Sequence, residues 1–388
     1  MNNNEARRLE MIKKRYRQEK VFRTLAVGAI ILATTFLVFF LTNITTTGYP
    51  ALQQTYIKTD VVYDSKTIKF THKAVEKELS RLVSRGFLRL IPVQVKDNPE
   101  LMGTTVNRWV VATAEVDQYM KGKPNRLKAK QIAVVERLKS EGLIELQFNK
   151  FFFSKGDSKL AEISGILSAA IGSIYVLILT MLFSVPVGVM TAIYLEEFAS
   201  DNWLTRIIEV NINNLAAIPS IIFGLLGLAI FINFFGVPRS SALAGGLTLA
   251  LMTLPVIIIS TRAALRSVPD SIRQGAQGVG ASAWQVVWHH VLPLSLPGIL
   301  TGSIIGLAQA MGETAPLLIV GMLAYIPEAP SGITEAATVL PAQIYTWSSE
   351  SIRAYTERTA LGIMVLLSVL LMLNAFAVWI RNKFERKW

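Results

Sequence analysis

Long apolar runs alternate with charged stretches along the chain. Six stretches carry no Asp, Glu, Lys or Arg for more than twenty residues: 24–57, 163–195, 210–238, 240–261, 291–312 and 359–380. Roughly 20 apolar residues are needed to cross a ~30 Å hydrocarbon core. The pattern predicts an all-α polytopic membrane protein with spans near 24–43, 163–195, 207–233, 242–262, 295–325 and 359–380. Some of these runs exceed one crossing, so tilt, kinks or extension past the bilayer are expected. No Ala-x-Ala pattern follows the first run in 42–52, so that run reads as an uncleaved anchor.

Residues 44–160 break the pattern and read as a small folded α+β domain. Val75, Leu79, Leu82 and Val83 lie at i, i+4, i+7 and i+8, which predicts a helix from about Thr71 to Ser84. A second helix is predicted over Leu127–Ser140, closed by Gly142. Strands are predicted over Tyr56–Phe70 and 143–153.

Charge then orients the chain. With the N-terminus inside, the inner segments hold eight basic residues in 1–23, Arg206, then Arg262, Arg266 and Arg273, and four in 381–388. The short outer loops hold only Arg239, Arg353 and Arg358. Sixteen against three predicts that both termini are cytoplasmic, with 44–160 periplasmic at a bacterial inner membrane. From Lys58 to Lys159 that domain carries 20 Lys+Arg and 12 Asp+Glu. This fits an anionic partner or simply a solvated surface. The Arg7–Arg23 cluster fits anionic lipid, at about 1 kcal/mol per residue. No role with nucleic acid is indicated.

Composition narrows the chemistry. The 388 residues are 52% hydrophobic and lack cysteine, which excludes a soluble enzyme, a thiolate metal site and a cysteine nucleophile. No Gly-x4-Gly-Lys-Ser/Thr, His-Glu-x-x-His or Gly-x-Ser-x-Gly occurs. His289 and His290 are adjacent, about 100° apart on a helix, a poor basis for a metal site. No catalytic residue, metal or cofactor is expected.

The loop from Arg266 to Pro293 is the informative segment. Asp270 is expected to cap a helix from Ser271, Gly280 to interrupt it, and a second helix, 283–290, to end at Leu292-Pro293. Trp284 and Trp288, at i and i+4, suit a partner's groove or an interfacial belt. Gln274-Gly275-Ala276, Gly280 and Leu292-Pro293 stand at the spacing of the EAA loop, and this stretch resembles that of binding-protein-dependent ABC importers. It departs from that pattern at Gln274, Gly275 and His290. The resemblance implies a coupling helix seated in an ATPase subunit.

A narrower resemblance rests on Pro297–Gly302, Gly312-Glu313-Thr314-Ala315-Pro316-Leu317-Leu318, Ala217–Gly224, Tyr194–Glu197 and Val268–Ser271. Over roughly 160–385 the chain resembles permease subunits of bacterial phosphate ABC importers of the PstA type, in a subgroup with an added outer domain. The resemblance implies the type I importer fold with six transmembrane helices and an inserted α+β domain. Its parts would be a basic N-terminus (1–23), an anchor (24–43), the periplasmic domain (44–160) and the transporter domain (161–385). It also implies a PstC-like permease, a PstB-like ATPase dimer and a PstS-like periplasmic phosphate-binding protein as partners.

Along span five, Gly298, Gly302, Gly306, Gln309, Glu313 and Pro316 predict one helical face. Small residues there permit close helix packing. Glu313 fits either a translocation or gating role or an interhelical hydrogen bond. A carboxylate repels a passing phosphate, and many PstA relatives carry Arg where this chain has Gln309. Thr314, Asn214 and Ser220 complete the candidate path. Arg262 is either part of it or a positive-inside anchor. Two rival readings remain: another oxyanion or small solute as cargo, and a membrane sensor with 44–160 as its input domain.

Overall fold

The computed structural model describes residues 3–384. Five continuous helices are long and apolar enough to cross a membrane: Met11–Leu52, Leu167–Phe198, Ala242–Arg266, Ala283–Gly312 and Ala354–Lys383, here spans one, two, four, five and six. Span three is a bent pair, Trp203–Ala216 and Ser220–Phe234, turned by 107°. The span expected over 207–233 is thus a broken one. Pro219 lacks an N–H and clashes with a continued helix, so the chain restarts at Ser220.

Span four is the hub, packed against spans two, three and five. One core lies mid-bundle, where Val176, Leu179, Phe223, Leu249 and Leu317 meet. A second, near the loop after span four, gathers Leu195, Ile212, Leu265, Ala276, Val286 and Val291. Span one packs chiefly on span six: a methyl on Gly48 would lie 2.8 Å from the Leu361 backbone nitrogen.

Between spans one and two the chain folds into an α+β domain. Its three-stranded antiparallel sheet has the order β2-β1-β3, with β1 Gln53–Tyr63, β2 Thr104–Val111 and β3 Ile144–Phe148. Ile57 pairs with Val110 on one side and Ile144 on the other, and all three are buried in one core. Helix Ala129–Ser140 forms as expected. The helix expected over Thr71–Ser84 does not. Its apolar residues are buried, but from irregular chain that includes two short 3-10 turns, Thr71–Lys73 and Leu79–Arg81.

The regular helix comes later, at Arg85–Asp97, where the Ser84 hydroxyl accepts from the Gly86 N–H and Phe87, Leu88, Ile91 and Val95 face inward. Pro92 inside it masked the pattern. The strand expected over 143–153 ends at Phe148. Asn149 then caps a short helix, Lys150–Ser154, by accepting from the Phe152 N–H at 3.1 Å.

A buried polar junction fastens this domain to span six. Lys121 bridges Asp117 at 2.6 Å and Glu357 at 3.2 Å, Lys123 reaches Glu357 at 2.7 Å, and Gln118 donates to Glu357. Arg358, expected in an outer loop, sits instead in the first turns of span six, only 5% exposed, and donates to the Ser164 carbonyl. Nearby, Asp157 accepts from the Trp347 indole at 2.8 Å and the Ser164 hydroxyl at 2.9 Å. Burial pushes the Asp157 carboxyl above the ordinary carboxylate range.

Candidate functional site

The loop after span four is built as two helices around a glycine. Asp270–Gly278 follows Pro269, so Asp270 lies in the first turn and does not cap it; its carboxylate pairs with Arg273 at 3.2 Å. Gly280 has φ +88°, a conformation open to glycine, and there the chain turns. Ser282 and Gln285 then form a reciprocal capping box that starts the next helix. That helix does not end at Leu292-Pro293 as expected. A π-helical stretch, Val287–Val291, comes directly before Leu292-Pro293, and the helix runs on through Pro293. Loop and span five are thus one helix, Ala283–Gly312.

Of the coupling-loop residues, Ala276 is buried and anchors the first helix, while Gln274, Gly275, Gly280 and Pro293 are exposed and Leu292 is half-buried. Trp284 and Trp288 stack with ring centroids 5.5 Å apart, and Phe198 lies 6.5 Å from Trp284. They are 58% and 53% exposed, and Val279 is 87% exposed. An exposed apolar crown of this kind is covered by a protein partner or by the membrane interface.

An arginine–glutamate clasp holds this loop against spans two and three. Arg273 meets Glu197 at 2.7 Å and also donates to the backbone carbonyls of Val268 at 2.6 Å and Leu265 at 2.9 Å. Hydrogen bonding to Glu197 holds the Arg273 guanidinium above its ordinary value despite burial. Arg262 joins Glu196 at 3.1 Å to Glu209 at 2.5 Å, and Arg266 reaches Glu196 at 2.7 Å. Arg262, a candidate for the substrate path, is bracketed by two carboxylates. Its charge is neutralised locally, and it ties spans two, three and four together. Glu196, Glu197 and Glu209 carry this clasp. The sequence signal was available in the i, i+4 spacing of Arg262 and Arg266 and the adjacent Glu196-Glu197, but only folding brings the two segments together.

Span five does not continue past Gly312. Glu313 is extended, with ψ 122°, and a short helix restarts at Ala315–Ile319. Pro316 cannot donate to the carbonyl of Gly312 and clashes with it, which explains the break. The single helical face expected through Glu313 and Pro316 is therefore corrected: it ends at Gln309. Its glycines do pack closely, since a methyl on Gly298 would lie 2.5 Å from the Ala264 Cβ.

The broken spans adjoin. A methyl on Gly224, in the helix starting at Ser220, would lie 2.8 Å from the Pro316 Cα. Gln309 and Asn214 are exposed, while Ser220, Glu313 and Thr314 are half-buried. Non-helical backbone at membrane depth is tolerated where it lines a cavity or is buried in protein. Two half-buried polar breaks thus adjoin, and one long helix joins the break at Glu313 to the Trp284–Trp288 pair.

Residues 184–388 match the family model described as "Binding-protein-dependent transport system inner membrane component", and 10–78 and 69–130 match "Domain of unknown function (DUF3333)". The chain is 30% identical to the "Probable ABC transporter permease protein YqgI" of Bacillus subtilis (strain 168), over 63% of this chain and 87% of that protein. It is 30% identical to the "Phosphate transport system permease protein PstA" of Pasteurella multocida (strain Pm70), over 56% of this chain and 76% of that one. For the PstA of Mycobacterium leprae (strain TN) the identity is 36%, over 40% of this chain and 50% of that protein. Among solved structures, a chain of the inward-facing MetNI methionine ABC transporter is 20% identical, with 55% of this chain and 95% of that chain covered and a TM-score of 0.44.

The architecture and the matches define a class: a multi-pass inner-membrane permease subunit of an ABC importer, with the type I permease fold and an added domain after span one. The chain belongs to the binding-protein-dependent transport system inner membrane component family. It is not itself an enzyme; ATP hydrolysis resides in a separate subunit.

Proposed function

We propose that the chain is the PstA-like half of an importer for inorganic phosphate, working with a PstC-like permease, a PstB-like ATPase dimer and a periplasmic phosphate-binding protein. The cargo reading is supported by relatives named as phosphate transport permeases. The observation that carries the mechanism is the continuity of Ala283–Gly312. Its 30 residues at 1.5 Å rise make a rod about 45 Å long, with the Trp284–Trp288 stack at one end and the Glu313 break at the other.

In this reading both termini and the 266–293 loop are cytoplasmic and residues 44–160 are periplasmic. The exposed tryptophans seat in a groove of the ATPase, and closure of the ATPases pushes on them. Span five carries the displacement to Glu313, while the Arg262 and Arg273 clasps carry it to spans two and three. Gln309, Glu313, Thr314, Asn214 and Ser220 face the second permease across the translocation path. Glu313 does not ligand phosphate while ionised, because a carboxylate repels it; it orients a neighbouring donor or pairs with a cation of the partner permease.

ATP-dependent uptake of labelled phosphate by vesicles holding the full complex tests this, with Trp284→Ala and Trp288→Ala beside wild type. Loss of uptake together with loss of ATPase association supports the docking role. Uptake of another oxyanion but not of phosphate would overturn the cargo while leaving the machine intact.

A further inference from the structure

The inserted domain carries a cleft whose charge the transport cycle above does not use. Two adjoining hollows, of about 1080 Å³ and 490 Å³, share Arg81, Arg85, Thr113 and Gln131 as lining and so form one cleft. Lys77, Arg89 and Lys130 line the larger lobe, and Arg126 and Arg353 the smaller. Among the described residues none of these seven cations is in an ion pair within the chain.

Three carboxylates also line the cleft, each with a hydrogen-bond partner. Glu78 pairs with Arg137 at 2.9 Å, Glu115 accepts from the Arg126 backbone N–H at 2.5 Å, and buried Glu162 accepts from the Ser84 hydroxyl at 2.9 Å. Seven cations against three carboxylates leave the lining with an excess of four positive charges, an arrangement relieved by an anion. Thr113 adds a hydroxyl that caps no helix.

We propose that this cleft binds a phosphate-bearing anion. Guanidinium forks match the paired oxygens of a phosphate, and several arginines around one hollow surround its charge better than a single carboxylate would require. Position supports the same chemistry. The smaller lobe is closed by Ile352, Arg353 and Ala354, and Ala354 opens span six, so the cleft stands at the membrane surface, where lipid phosphates lie. The source is either a lipid headgroup or the free ion. The inference does not depend on the cargo assigned above, which uptake tests separately.

The experiment uses the full chain in detergent micelles: wild type, the cleft triple Arg81→Gln/Arg85→Gln/Arg126→Gln, and a charge-matched triple elsewhere on the domain, Lys58→Gln/Lys69→Gln/Lys139→Gln. Native mass spectrometry counts retained phosphatidylglycerol against phosphatidylcholine, and equilibrium titration follows inorganic phosphate at fixed ionic strength. The cleft triple is expected to weaken one of the two at least tenfold while the matched triple stays within twofold. A change confined to phosphatidylglycerol identifies the headgroup, and one confined to inorganic phosphate identifies the free ion. If both triples weaken alike, or neither does, the proposal is wrong. Single Arg81→Gln and Arg126→Gln variants, each expected to weaken binding severalfold, guard against a folding defect in the triple.

Discussion

Arg273→Ala is the sharpest test of how the coupling loop is held. Arg273 lies with 18% of its side chain exposed, and its partner Glu197 with 8%. The substitution removes the ion pair and both bonds to the carbonyls of Val268 and Leu265, and leaves Glu197 buried without a cation. Breaking a buried pair from one side costs about 3–5 kcal/mol, most of it from the abandoned charge. At about 1.4 kcal/mol per decade, even the low end shifts the loop's local opening by on the order of a hundredfold. Hydrogen exchange over 270–281 in the assembled complex should therefore accelerate by about two decades, while span four is unchanged. Uptake should fall with it. Arg273→Lys keeps the charge but not the fork that reaches two carbonyls and a carboxylate, so it should lie between. Protection within threefold of wild type in Arg273→Ala would refute the idea that this clasp positions the loop.

Three further outcomes follow from packing and charge. Glu357→Gln takes the carboxylate from Lys123 and leaves Lys121 with Asp117 alone, and should lower the thermal midpoint in detergent by less than the ~3–5 kcal/mol of a wholly abandoned buried charge. Gly302→Leu drives a side chain into Ser260 of span four; overpacking of about 1–3 kcal/mol should appear as a lower midpoint, with Gly302→Ala milder. Asp157 has its folded-state pKa raised by burial, so its contribution to stability is fully present below the unfolded-state value and is lost as pH rises through the folded one. Asp157→Asn keeps an acceptor for the Trp347 indole and should flatten that loss as pH rises above the ordinary carboxylate range, read from thermal midpoints; an unchanged slope would show that Asp157 is not its source.

The inserted domain shows where local pattern reading stops. Ala129–Ser140 has an uninterrupted amphipathic period and was legible, whereas Arg85–Asp97 contains Pro92, which reads as a breaker although the helix tolerates it. Thr71–Ser84 has helical spacing but folds into 3-10 turns, because burial of Val75, Leu79, Leu82 and Val83 satisfies the core without a regular helix. In the site, Trp284 and Trp288 stood out in the chain itself by their i, i+4 spacing, and Gly280 as a break in the helical pattern. Glu196, Glu197 and Glu209 did not: each is an ordinary charge near a span end until the fold sets it against Arg262 or Arg273.

The sequence by itself determined the membrane class and the sites of chain reversal. Apolar length and charge are properties of a segment alone, and transfer out of water acts on each segment locally. Only the tertiary structure decided that span three bends by 107°, that span five stops at Gly312, and that the coupling loop runs unbroken into span five. It also decided which charges are free. Arg262 and Arg273 are neutralised by glutamates up to 76 residues away, while among the described residues the arginines of the inserted domain's cleft are in no ion pair. Charge pairing depends on distances that the fold sets, and a run of letters does not contain them.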